Sequence, residues 1–175
     1  MSDTFCACVA DTSQVPGHRS PVGRPQRDYH PNGIYHLTTH GIDDNPIYRD
    51  DLDRQEFCVR LWRVLDDERW IFHAGCLMDT HYHLLVCPST GSIPDGMKLL
   101  NGGYARAFNR RHGRRGALFE SRYSDRIIRD EAHYAAAVDY IEQNPIAAGV
   151  VDSLEDCIWT TGNPASPLHR GNIGV

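Results

Sequence analysis

Two histidines in a short apolar segment are the first residues whose types and spacing could do chemistry. His81 and His83 stand in the run His-Tyr-His-Leu-Leu-Val at residues 81–86. Successive side chains of a β-strand point to opposite faces, so in a strand both imidazoles would lie on one face. Two neutral imidazoles on a rigid face are suited to bind a divalent metal ion. A His-x-His pattern of three residues is not specific for metal binding. The alternative interpretation is that the two histidines are polar side chains on a solvated face.

A second candidate pair, Tyr140 and Asn144, stands four residues apart. On a helix this spacing places a phenol and a side-chain amide on the same side, one turn apart. A phenol can act as a nucleophile in phosphoryl transfer, and an amide oxygen is a hard ligand suited to Mg²⁺ or Mn²⁺. Alternatively, Tyr140 fills a helix–sheet seam and Asn144 ends a helix before Pro145. Tyr134 is a rival nucleophile, although its spacing from the following apolar residues places it in the packing stripe.

Basic residues are concentrated between these two pairs. Residues 101–130 contain eight arginines and three carboxylates, a local net charge of +5, whereas the whole chain has a formal charge of -5. Guanidinium groups bind phosphate oxygens and stack on bases, so the segment predicts a nucleic-acid surface. A solvated basic loop is the alternative. The predicted DNA contacts are Arg106, Arg110, Arg111, Arg114, Arg115, Arg122 and Arg126.

Alternation and helical periodicity predict the elements that position these residues. Strands are expected at 33–41, 70–78, 81–87 and 125–129, because apolar residues alternate there or form short runs bounded by turns. Helices are expected after Asp50, after Ser92, and from about Asp130 to near Asn144, where Pro145 disfavours helical geometry. The fold class is therefore α+β: a ferredoxin-like (RRM-like) antiparallel sheet in the split β-α-β-β-α-β pattern, followed by a tyrosine-bearing helix.

Composition and the chain ends narrow the class of protein further. The 175 residues predict a domain over 31–160, with a flexible arm at 1–30 and a flexible tail at 161–175. The sequence has no apolar run long enough to span a membrane and no secretory signal, so a cytoplasmic protein is expected. Three of its six cysteines, Cys58, Cys76 and Cys87, lie in apolar segments and fit a core, whereas Cys6 and Cys8 are weak candidates for a metal site.

These motifs resemble those of a known family. Residues 81–86 resemble the His-hydrophobic-His strand of the single-tyrosine HUH transposases, and residues 138–145 with 147–151 are similar to that family's tyrosine helix. The likeness is greatest to the branch called REP-associated tyrosine transposases. Three further matches, residues 33–38 in the first strand, then Tyr104, Phe108 and Asn109, and the loop 116–122, extend the resemblance over about 33–151.

The resemblance implies a metal-dependent transposase that cleaves and rejoins single-stranded or hairpin DNA, at inverted-repeat ends or dispersed palindromic repeats. It implies that Tyr140 attacks the scissile phosphate, giving a 5′-phosphotyrosine and a free 3′-hydroxyl. It implies that His81 and His83 bind Mg²⁺ or Mn²⁺ with Asn144 as third ligand, in a monomer or homodimer without a membrane partner. His40 stands where the family often has an arginine, so DNA contact there is expected to be weaker or pH-dependent.

Two other functions are compatible with the same residues. One is a non-catalytic single-stranded nucleic-acid-binding protein on the same fold, which would use arginines and aromatic side chains to hold the strand. The other is a small metal-binding hydrolase whose histidine pair activates water. The pairing of Tyr140 with Asn144 favours the transposase.

Overall fold

A four-stranded antiparallel sheet carries two helices on one face and a third helix on the other. The computed structural model describes residues 29–30, 32–170 and 172, so Cys6, Cys8 and nearly all of the predicted arm lie outside the described residues. The strand order is β2-β3-β1-β4, and neighbouring strands are antiparallel, which confirms the predicted ferredoxin-like α+β fold. The elements are β1 (Tyr35–His40), α1 (Asp51–Asp67), β2 (Trp70–Leu77), β3 (His81–Pro88), α2 (Ile93–Arg111), β4 (Ser124–Ile127) and α3 (Glu131–Ala147).

Alternate side chains of β3 pack into two apolar clusters, one on each face of the sheet. Tyr82, Leu84 and Val86 are fully buried in the larger cluster, which α1 and α2 cover. Leu85 belongs to a smaller cluster on the opposite face, where Ala137 and Ile141 of α3 pack. Because His81 and His83 alternate with the residues of the larger cluster, they lie on the α3 face of the sheet.

Helices α1 and α2 form where capping and periodicity predict them. The carboxylate of Asp50 accepts a hydrogen bond from the backbone N–H of Asp53, and the hydroxyl of Ser92 accepts one from that of Asp95, so each helix start is capped. The apolar residues that recur at helical spacing in both helices are buried. They are Phe57, Cys58, Leu61, Val64 and Leu65 in α1, and Ile93, Met97, Leu100, Tyr104 and Phe108 in α2. Cys58, Cys76 and Cys87 are buried free thiols, as expected. None of the helices within the described ranges is long and apolar enough to cross a membrane.

The end of α3 corrects the sequence prediction. The helix does not end near Asn144 but continues through Pro145 to Ala147. It ends in a Schellman motif, in which Gly149 adopts a φ of 67° and the N–H of Val150 donates to the carbonyl of Pro145 over 2.9 Å. Proline disfavours helical φ and ψ angles in the residue before it, here Asn144. In α3 the hydrogen bonds of the final turn outweigh that preference.

Most of the expected flexible tail, residues 161–175, is packed against the domain. The N–H of Thr161 donates to the carbonyl of Gly75 over 2.9 Å, at the outer edge of β2. Further along the chain, Leu168 is fully buried. The prediction of a loose segment rested on the polar side chains of residues 161–170. Hydrogen bonding of the backbone to a strand edge does not depend on side-chain periodicity, so the sequence pattern did not reveal it.

Candidate active site

The register of β1 against β3 gathers four histidines on the α3 face. Thr38 lies opposite His83, and His40 lies opposite His81. Side chains on the same face of adjacent strands are neighbours. The rings of His40 and His81 are stacked with centroids 4.7 Å apart, and the His81 and His83 centroids are 5.0 Å apart. With His36, the predicted histidine pair is therefore part of a larger imidazole cluster.

The two ring nitrogens of His83 differ in their hydrogen-bond contacts within the described residues. Its Nδ1 lies 2.9 Å from Nε2 of His36 and 3.1 Å from the hydroxyl oxygen of Thr38. Its Nε2 is buried and has no hydrogen-bond partner in the described part of the chain. Most buried polar groups are paired, and a ring nitrogen without a partner is chemically able to accept a ligand. This atom fits the metal ligation predicted for His83.

Burial favours the neutral imidazole in His36, His81 and His83. It lowers the pKa of His83 to about 3, with a smaller lowering from the three neighbouring histidines. It lowers the pKa of His36 to about 4, reinforced by Arg126 and then His133. Burial also lowers the pKa of His81. A neutral imidazole is the form that binds a metal ion.

Helix α3 brings Tyr140 over the histidine cluster of the same chain. Ala137 and Ile141 pack the helix on the sheet, and Tyr140, on the next stripe, is 54% exposed. Its ring centroid lies 5.5 Å from that of His83, at an interplanar angle of 80°, and 6.0 Å from that of His36. The phenol therefore combines solvent access with contact to the cluster.

A pocket of about 420 Å³ opens between β1, β4 and α3. It contains the predicted nucleophile, one predicted metal ligand and one predicted DNA-binding arginine. It also contains residues for which the sequence analysis predicted no role. Two signals could have identified some of them: His133 precedes Tyr140 by two helical turns, and the alternation along β1 places His36, Thr38 and His40 on one face. The lining residues are His36, Thr38, His40, His83, Ser124, Arg126, His133, Ala136, Ala137 and Tyr140.

The other two predicted metal ligands, His81 and Asn144, lie outside that lining. His81 is half-buried next to the pocket, with its Nδ1 3.1 Å from the hydroxyl of Thr80. Asn144 is buried one turn beyond Tyr140. Among the described residues, no group of three or more His, Cys, Asp or Glu side chains is arranged to hold a metal ion. A metal site here would therefore need oxygen ligands besides the histidines, and the predicted ligand set stays a prediction.

Tyr134, the rival nucleophile, lies apart from the histidine cluster. Its hydroxyl is 3.1 Å from Nδ1 of His73 on β2, and its half-buried ring packs with the smaller apolar cluster. It does not line the pocket that contains Tyr140. The geometry favours Tyr140 as the nucleophile over Tyr134.

The seven predicted DNA-binding arginines are not equivalent. Arg126 lines the pocket, whereas the guanidinium of Arg111 is paired with Asp50 over 2.7 Å and with Asp53 over 2.5 Å. Arg114 is half-buried, with its Nη1 donating to the side chain of Asn109. The others, Arg106, Arg110, Arg115 and Arg122, are exposed.

The fold and the pocket together define a small α+β protein in which a phenol, several imidazoles and an arginine line one cavity. Comparison with known proteins gives the family. Residues 30–144 match the family described as "Transposase IS200 like", and the chain belongs to this family.

Two relatives illustrate the breadth of the similarity. A Haemophilus influenzae protein, provisionally named a REP-associated tyrosine transposase, is 25% identical over 162 residues, which is 83% of this chain and 85% of that protein. A solved structure of a REP-associated tyrosine transposase bound to a REP hairpin superposes with a TM-score of 0.65 at 16% identity. It covers 88% of this chain and 94% of its own. The second similarity supports the fold.

Proposed function

We propose that this transposase cleaves and rejoins single-stranded or hairpin DNA through a covalent bond to Tyr140. The observation that carries the proposal is the exposed phenol of Tyr140, whose ring lies 5.5 Å from that of His83 at the pocket. Membership of the transposase family supports action on DNA. The REP hairpin bound to the solved relative supports hairpin DNA as the substrate class.

In the proposed step, Oη of Tyr140 attacks the phosphorus of one phosphodiester. The bond from Oη to phosphorus forms while the bond from phosphorus to the 3′ oxygen breaks, leaving a 5′-phosphotyrosine and a 3′-hydroxyl. The phenolic proton leaves Oη, and the departing 3′ oxygen takes up a proton. Since Tyr140 is 54% exposed, its proton can pass to water. A 3′-hydroxyl reverses the step, and the phosphotyrosine conserves the bond energy, so rejoining needs no nucleotide cofactor.

Residues on both sides of Tyr140 would hold the phosphate. Arg126 on β4 and His133 on α3 line the same pocket and can donate hydrogen bonds to its oxygens. His81 and His83, with Asn144 as the third ligand, would hold Mg²⁺ or Mn²⁺. The Nε2 of His83, which has no hydrogen-bond partner among the described residues, supports this assignment. The ion would supply neutralisation of charge on the phosphate oxygens.

The proposal predicts a covalent adduct that depends on Tyr140. A hairpin oligonucleotide labelled at its 3′ end is incubated with protein and Mg²⁺ or Mn²⁺, because the fragment on the 3′ side stays attached to the tyrosine. Wild-type protein should give a labelled band that survives denaturing electrophoresis, and Tyr140→Phe should give none. Tyr134→Phe is the matched control and should retain the adduct. His81→Ala and His83→Ala should lose cleavage while DNA binding persists.

Three outcomes would contradict the proposal. An adduct formed by Tyr140→Phe would assign the nucleophile to another residue. Salt-sensitive binding without metal dependence, and without an adduct on any substrate, would indicate a non-catalytic nucleic-acid-binding protein. Hydrolysis that persists in Tyr140→Phe would indicate that the histidines activate water instead.

A further inference from the structure

We propose that His36 is a positioning residue: its Nε2 accepts a hydrogen bond from Nδ1–H of His83, so that the unprotonated Nε2 of His83 is presented to a divalent cation. This inference rests on the proposed function, because it gives His83 the role of a metal ligand. It concerns a residue of β1 that belongs neither to the histidine pair nor to the tyrosine helix.

The strand register creates the contact. His36 lies opposite Leu85 and is the diagonal neighbour of His83 on the α3 face. The 2.9 Å separation between Nε2 of His36 and Nδ1 of His83 is that of a hydrogen bond. The hydroxyl of Thr38 lies 3.1 Å from the same Nδ1. Both partners therefore contact one nitrogen of His83 and leave the other nitrogen directed elsewhere.

Only one proton can lie between the two facing nitrogens, so two arrangements are possible. If His36 donated it, neutral His83 would carry its own proton on Nε2, which is buried and has no partner within the described residues. That arrangement would leave a buried N–H unsatisfied, whereas most buried side-chain polar groups have a hydrogen-bond partner. If His83 donates it, Nε2 carries a lone pair, which a cation can occupy. A second-shell hydrogen bond of this kind fixes the tautomer and orientation of a metal-ligating histidine.

The tautomer of His83 tests the inference without metal or DNA. Long-range ¹H–¹⁵N NMR spectra of the full-length protein at neutral pH distinguish a proton on Nδ1 from one on Nε2. We expect His83 to carry its proton on Nδ1. A proton on Nε2 would overturn the inference.

Mn²⁺ binding, measured by calorimetry on the metal-free protein, tests the consequence. We expect His36→Phe, which removes the acceptor but retains the ring volume, to weaken Mn²⁺ binding by roughly 10- to 100-fold. His36→Gln supplies an acceptor oxygen and should recover much of the affinity. His73→Phe removes another half-buried histidine, which contacts Tyr134, and should leave Mn²⁺ affinity unchanged.

Unchanged Mn²⁺ affinity in His36→Phe would overturn the inference, as would equal losses in His36→Phe and His73→Phe. Wild-type protein that binds no Mn²⁺ would refute the proposed metal site itself. The tautomer of His83 in the same wild-type sample would still decide whether His36 positions it. Failure of the inference is thus distinguishable from failure of the proposed function, which the Tyr140 adduct tests separately.

Discussion

Arginine side chains of the basic segment take part in two different kinds of interaction. The guanidinium of Arg111 joins the end of α2 to the start of α1, where it pairs with Asp50 and with the 2% exposed carboxylate of Asp53. Arg126 is exposed and lines the pocket with Tyr140. Burying a carboxylate costs free energy unless charged or hydrogen-bonding partners compensate for the lost water, whereas the exposed guanidinium beside the Tyr140 phenol is accessible to a phosphate group.

This difference predicts separable effects of two arginine substitutions. Arg126→Ala should weaken binding of single-stranded DNA and reduce the slope of log affinity against log salt by about 0.7, the value for one lost phosphate contact. Arg111→Ala should leave that slope unchanged but lower the urea midpoint, because Asp53 loses a charged partner. Fluorescence anisotropy at several salt concentrations and urea titration measure the two effects. A lower salt slope for Arg111→Ala would show that it contacts DNA despite its ion pairs.

Sequence motifs identify residues that act through their own type and spacing, but they do not identify contacts between strands. The pairs His81/His83 and Tyr140/Asn144 could be recognised because each has a fixed spacing along one element. The contact of His36 with His83 depends on the register of β1 against β3. Since β1 and β3 are separated along the chain by α1 and β2, no hairpin turn fixes their register.

At the scale of elements, α3 positions the phenol, and a glycine terminates that helix. The N–H of Val150 donates to the carbonyl of Pro145 and Gly149 adopts a φ of 67°. A Cβ at Gly149 would meet no heavy atom within 4 Å. The requirement for glycine is therefore conformational and does not come from crowding.

Gly149→Ala should lower the free energy of unfolding by roughly 1–2 kcal/mol, since a left-handed conformation is strained for alanine. Gly102→Ala is the matched control within α2, where a Cβ would meet only Nη1 of Arg106 at 3.4 Å. This second change should raise the stability by about 0.5–1 kcal/mol. Urea denaturation of the two variants should show effects of opposite sign. A stabilising Gly149→Ala would argue against the observed helix end.

Elements with a cap and a wide apolar stripe could be predicted from the sequence, and those set by longer-range contacts could not. Asp50 and Ser92 cap α1 and α2 as expected, and the apolar residues at helical spacing in both helices are buried. The prediction that α3 ends near Asn144 was wrong, because the rule applied there concerns only the residue before Pro145. The helix end is instead fixed by hydrogen bonds that the N–H groups of Gly149 and Val150 donate to carbonyls of the last turn.

For the whole molecule, the distribution of charge matters more than its total. The formal charge of -5 disfavours a nucleic-acid partner. However, the basic loop between α2 and β4 runs along the end of β1, where the N–H of Glu120 donates to the carbonyl of His40 over 3.0 Å. Arg122 follows in that loop and is exposed, and Arg126 on β4 lines the pocket. A local positive field beside the phenol can attract DNA although the net charge is negative.

The chain after α3 completes the molecule by closing a sheet edge. The N–H of Leu77 donates to the carbonyl of Trp159 over 2.8 Å, and the N–H of Thr161 donates to Gly75 over 2.9 Å, both along the outer edge of β2. Unpaired strand edges favour association with other chains. Leu168 then anchors the segment, because it is fully buried in the larger apolar cluster.

The anchoring role of Leu168 gives a prediction about the whole domain. Leu168→Ala should lower the free energy of unfolding by about 2–5 kcal/mol, the cost of emptying a fully buried leucine site. Leu99→Ala makes the same chemical change at a position that is 50% exposed on α2, and it should alter stability by less than about 0.5 kcal/mol. Urea denaturation followed by circular dichroism measures both. Equal, small losses in the two variants would show that residues 161–170 contribute little to the fold, whereas a large loss only in Leu168→Ala would show that this segment is part of the domain core.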